Sequence, residues 1–156
     1  LKYLNFALYQ IGALGDEFDK GFKDISFEFA SHGKPVSVTL WHADATGIEV
    51  TCKMHDTDER VEYGILEFAQ VGRRAENKTF VSLDSDLSAP AFVEKLVLRD
   101  DGVICESGFM LGGRDGSVLL VVAGVYPYTL AVRVAGYLGP FDPEFPIERY
   151  ERIPMS

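Results

Sequence analysis

Histidines and clustered carboxylates are the side chains that bind metals and move protons. Residues 41–60, WHADATGIEVTCKMHDTDER, hold His42 and His55, two of the chain's three histidines, together with Asp44, Glu49, Asp56, Asp58 and Glu59. Strand geometry tests whether they form one site. Apolar residues occupy even positions in both 36–40 and 48–54. If both runs bury that face, paired residues must share parity, because a slip of one residue flips every side chain. His42 then lies on the apolar face and His55 on the opposite one, with Glu49 and Lys53. They also lie at opposite ends of the hairpin, separated by roughly 24 Å at about 3.4 Å per residue. One ion cannot hold both, since a ligating nitrogen sits about 2 Å from its metal. His42 beside Trp41 is expected to cap the hairpin edge. His32 falls in a turn at the same end as His55, Asp56 and Asp58, but this spacing matches no metal template, and no metal or other cofactor is expected.

Other catalytic templates are also absent. Cys52 and Cys105 each sit in an apolar, strand-like run, which predicts buried and unreactive thiols. Two cysteines are too few for a disulfide scaffold in a chain of 156 residues. Glu106 interrupts the apolar run VICESGFML; it could point inward towards the pair of arginines or outward to water, and the solvent-facing position is favoured because acids are seldom buried. The segment LGGRDG joins two strands and reads as a hairpin turn, not as a phosphate loop opening a helix.

Two surface features remain. Asp56, Asp58, Glu59 and Glu62 concentrate negative charge between two runs, and GVYPYTL places Tyr126 and Tyr128 around Pro127. These six residues are the candidate binding residues. Acids at an interface attract a basic partner, and tyrosine is enriched in contact surfaces.

The elements that must carry these residues are strands. DISFEFA, PVSVTLW and GIEVTCKM alternate apolar and polar positions, which predicts an antiparallel meander with one apolar face. VEYGILEF, residues 61–68, reads as a fourth strand. A helix capped by Asp56 with Glu59 three residues on is the other reading, and Gly64 argues against it. The opening segment suits helix or strand, and residues 16–24 read as a charged turn. TFVSLD is a short strand, Ser85–Pro90 a connection with room for a helical turn, and VEKLVLR another strand. VICESGFML and SVLLVVAGV form a hairpin. Residues 118–123, apolar at every position, predict a central strand covered on both faces. The tail from residue 140 to 156 carries four of the seven prolines. It is expected to be an extended arm with one helical turn after Pro146. The predicted fold is a single mainly β domain with little helix: an antiparallel meander and hairpins forming a β-sandwich or strongly curved open barrel.

Composition bounds the function. Hydrophobic residues make up 47% of the chain, which argues against disorder. The formal net charge is −9, and residues 1–72 hold twelve acids against six bases. Such a field disfavours nucleic acids and anionic membranes, which are bound by clustered Lys and Arg. No apolar run reaches the length of a membrane span. Asn5, Tyr9 and Gln10 break the faintly signal-like start, so a cytoplasmic location is expected.

Residues 106–132, ESGFMLGGRDGSVLLVVAGVYPYTLAV, resemble small bacterial domains of the toxin-immunity-protein type. The likeness lies in a hairpin, an apolar strand and a proline-containing corner. It implies a bacterial source, a mostly β fold and a role in binding and neutralising a toxin, and it implies no catalytic residue. The function read here is that of a non-enzymatic acidic binding protein, immunity-like, recognising a basic protein partner. Two other readings stay open. One is a small-molecule-binding or enzymatic β domain with its site in the barrel mouth. The other is a structural module that forms homo-oligomers.

Overall fold

A computed structural model of the chain describes residues 1–57, 61–72 and 79–155. The chain enters through two short strands, β1 (Lys2–Leu4) and β2 (Ala7–Tyr9), and a short helix, α1 (Leu14–Asp19). The expected meander follows as β3 (Asp24–Phe29), β4 (Pro35–Trp41) and β5 (Gly47–Asp56), continued by β6 (Glu62–Val71). Residues 62–71 are thus strand, not helix. Val38 stands opposite Val50 and Leu40 opposite Ile48, the shared parity that the alternation required. Then come β7 (Thr79–Ser82), the single turn α2 (Ser85–Ser88), β8 (Phe92–Asp100), β9 (Val103–Gly112), β10 (Val118–Ala123) and β11 (Leu130–Arg133). The tail contributes a 3-10 turn at Ile147–Arg149 and a final strand, β12 (Tyr150–Pro154).

These strands build two six-stranded sheets. One runs β11-β10-β9-β8-β12, with β1 added alongside β9; the other runs β2-β6-β5-β4-β3-β7. Both are open, one ending at β11 and β12 and the other at β2 and β7. This corrects the expected fold class. A meander and hairpins do form, but among the described residues no sheet closes or curls strongly into a barrel, and none shows a barrel mouth to hold a site. Nor is the pairing wholly antiparallel. β1 joins β9 and β2 joins β6 in parallel, so the first nine residues stitch one sheet to the other.

Hydrophobic burial drives the packing of the sheets. Ile25, Phe27, Leu40, Ile48, Val50 and Phe68 of one sheet meet Phe109, Leu111, Leu119, Val121 and Val132 of the other in a dry core. A second cluster lies on the other side of β8–β10. There Leu98, Cys105, Met110, Leu120 and Val122 pack with Tyr63 and Tyr150, under Phe141, Phe145 and Ile147 of the tail. β10 is therefore buried on both faces, as its unbroken apolar sequence predicts. Helix α1 replaces the expected charged turn because Leu14, Glu17 and Phe18, at helical spacing, are its buried residues. The buried Trp41 indole N–H donates to Ser26 Oγ at 2.8 Å. Among the described residues, no helix is long and apolar enough to cross a membrane.

Candidate functional site

The histidines part company as their parity required. His42 is buried, stacked on Phe22 with ring centroids 4.7 Å apart, and its Nδ1–H donates to the Gly21 carbonyl at 2.7 Å. Its side chain is packed in the interior, while its backbone closes the β4–β5 turn, the N–H donating to the Thr46 carbonyl at 2.7 Å. His55 lies on β5 opposite Tyr63. His32 stacks at 6.2 Å on Tyr126. Among the described residues, no three His, Cys, Asp or Glu side chains gather as metal ligands would.

The acidic and aromatic candidates are linked through the tail. Asp56 and Glu62 face each other where the β5–β6 hairpin ends. The neighbouring Asp56 carboxylate raises the Glu62 pKa, through a shared hydrogen bond and like charge. Asp58 and Glu59 lie outside the described residues. Two residues along β6 from Glu62, the Gly64 N–H donates to both carboxylate oxygens of Glu144 at 3.2 Å. Glu144 is held in turn by its own backbone N–H, which donates to the Ala123 carbonyl at 2.9 Å. The nearby Asp142 carbonyl accepts from the Val125 N–H at 2.9 Å, which ties the strand leading into the corner Tyr126–Pro127–Tyr128 to the same tail segment that holds Gly64. The Tyr128 backbone also reaches the Cys52 sulfur by a hydrogen bond. Cys52 is four residues before Asp56, roughly 13 Å along an extended strand.

The corner is a built feature. The Thr129 N–H donates to the Tyr126 carbonyl at 3.2 Å, closing a turn with Pro127 and Tyr128 at its centre. Tyr128 has φ = +64°. Proline followed by a left-handed residue is the type II pattern, whose third position ordinarily takes glycine. A bulky side chain there is strained. Tyr126 and Tyr128 nevertheless remain 56% and 61% exposed. Tyr126 is steadied from below, with the Lys34 ammonium 4.9 Å from its ring centre and itself bonded to Asp142 at 2.9 Å.

Burial shifts the thiols. Cys52 and Cys105 are free and buried, and desolvation pushes both thiols up to about 12. Such a shift disfavours the thiolate at neutral pH.

Glu106 departs from expectation. It is largely buried, accepting from the Phe6 N–H at 2.7 Å and from the Lys95 ammonium at 2.5 Å. A β-bulge is the cause. Leu96 pairs with Gly108 but Val97 with Glu106, so Ser107 is skipped and the alternation of β9 inverts there. Glu106 and Lys95 end up in the wall of a cleft of about 340 Å³ at the edge where β2, α1 and β12 meet. Sequence reasoning missed Lys95, Asp142 and Glu144. The first follows from the bulge, and the other two lie in a proline-rich stretch with no periodicity to read. The chain matches no family model, no curated protein and no solved structure.

Proposed function

We propose that the chain is a non-enzymatic binding protein whose Tyr126–Tyr128 corner and adjoining acids, Asp56, Glu62 and Asp142, engage a basic protein partner. The exposed Tyr128 at φ = +64° carries this reading. A residue held in a costly conformation calls for a compensating use, and strain of this kind concentrates at ligand clamps. Tyrosine offers a large rigid contact with a polar tip, the chemistry of interface hot spots. The acids support the same reading. Like charges directly opposite each other across strands destabilise a sheet, and a cationic side chain between Asp56 and Glu62 would relieve that repulsion. The acids Asp58 and Glu59, next in sequence to the hairpin end, add to the same charge. The immunity-like role implied by the resemblance of residues 106–132 belongs to this proposal, with the toxin as the basic partner.

Affinity capture from the native cell, with wild type and Tyr128→Gly in parallel, tests it. The wild type should retain a basic protein that the variant loses, although the variant is folded. Co-expression with that protein, if it is a toxin, should protect cells only with the wild type. Equal retention by both forms would remove Tyr128 from the interface and defeat the proposal.

A further inference from the structure

We propose that the cleft between β2, α1 and β12 binds a small neutral ligand with an apolar body and a carboxamide head. The cleft opens where both sheets end, β2 being an edge of one and β12 an edge of the other. Its volume of about 340 Å³ lies within the range of small-molecule sites, about 300–1,000 Å³. Phe6, Leu8, Leu14 and Met155 supply apolar walls, and Lys95 and Glu106 are the two charged groups in its lining. That ratio, a greasy cavity with few convergent polar groups, is what binding sites for small molecules show.

The ion pair selects the head group. Lys95 gives one ammonium proton to Glu106, and its side chain remains 33% exposed, so further donors face the cleft. Glu106 takes one hydrogen bond on each oxygen, from Phe6 on Oε1 and from Lys95 on Oε2, and each oxygen keeps a lone pair. The pair therefore offers a donor and an acceptor side by side with no net charge. A carboxylate ligand would gain Lys95 but meet the Glu106 anion. An amine would gain Glu106 but meet the Lys95 cation. A primary amide meets neither penalty: its carbonyl accepts from Lys95 and its N–H donates to Glu106. This site is separate from the aromatic corner, which belongs to the loop between β10 and β11 at the far edge of the sheet that ends in β12. Its test therefore does not depend on the protein-partner reading.

Four probes of one chain length decide the matter: hexanamide, hexanol, hexanoate and hexylamine, each titrated into the full chain by heteronuclear NMR. Hexanamide should shift the amides of Phe6, Leu8 and Met155 and bind about tenfold or more tighter than either charged probe, the ratio expected of hydrogen bonds to charged groups. Glu106→Gln leaves Lys95 unopposed and should switch the preference to hexanoate. Lys95→Met leaves Glu106 unopposed and should switch it to hexylamine. Ala13→Trp, at an exposed position on the rim, should block every probe while both charges stay in place. Hexanoate or hexanol binding the wild type as well as hexanamide would overturn the proposal. So would amide binding that survives Ala13→Trp. If a charge variant fails to fold, the wild-type series and Ala13→Trp suffice to support or overturn the site.

Discussion

Tyr128 and Glu144 both hold costly states, and each cost can be measured. A left-handed backbone costs a non-glycine residue about 1–2 kcal/mol, while glycine adds about 0.5–1 kcal/mol of chain entropy to lose on folding. Tyr128→Gly should therefore stabilise the fold by about 0.5–1 kcal/mol, raising Tm by about 2–3 °C. A fall in Tm would mean that the Tyr128 ring packs more than its exposure suggests. Glu144 is the opposite kind of case. Burial raises its carboxyl from 4.5 to about 7, against the pull of the Gly64 N–H, with the Glu62 charge adding to the rise. The folded state thus holds the proton more tightly than the unfolded one. This stabilisation is full below about pH 4.5 and is lost as pH rises through about 7. Glu144→Gln keeps an acceptor for Gly64 and removes the charge. Its Tm should exceed that of wild type at about pH 8, and the gain should vanish at about pH 4. Thermal unfolding across that range checks it; a gain that is constant with pH would show that the carboxyl does not titrate as stated.

The bulge in β9 shows how an element can set a site. It turns Glu106 into the cleft and depends on Gly108, where an added Cβ would lie 2.7 Å from the Val121 carbonyl oxygen and 2.9 Å from Val122 Cβ. Gly108→Ala should cost about 1–3 kcal/mol, the range for overpacking a dense core, read by urea denaturation. A neutral result would mean that the β9–β10 pairing gives way easily. The same strand marks what the sequence could and could not reveal. The meander β3–β5, its parity and the buried β10 were legible because a period of two survives wherever one face is dry, and an unbroken apolar run marks a strand dry on both. Glu106 was not, because a bulge inverts that period and leaves no local signal. β1, β2 and β12 were illegible for another reason: each is a short strand whose partner lies at least fifty residues away in the chain. Of the candidate site, the tyrosine corner and the acids were visible as composition. The link between them was not, since it runs through Glu144 and Asp142 in the proline-rich tail, where no periodicity points to a partner.

At the scale of the molecule, the proposed ligand cleft and the proposed aromatic contact lie at different edges of the two sheets. Net charge of −9 gives the chain a long-range field, and the β5–β6 hairpin end concentrates part of it. Such a field acts on encounter, whereas desolvated aromatic contacts act on residence. The two contributions can be pulled apart in one kinetic experiment on the partner complex. Asp56→Lys places a cation opposite Glu62, replacing a repulsive cross-strand pair with an attractive one, so the fold should hold or gain stability. Association should nonetheless slow, by about tenfold at low ionic strength and by less as salt shortens the Debye length to about 8 Å at physiological concentration. Tyr126→Ala should leave the association rate and its salt dependence alone and instead raise the dissociation rate by about tenfold or more, the penalty for truncating a central aromatic. If Asp56→Lys changes only dissociation, the acids sit inside the contact and not at its rim. If neither substitution changes either rate, the partner docks on a different surface and the strain at Tyr128 needs another explanation.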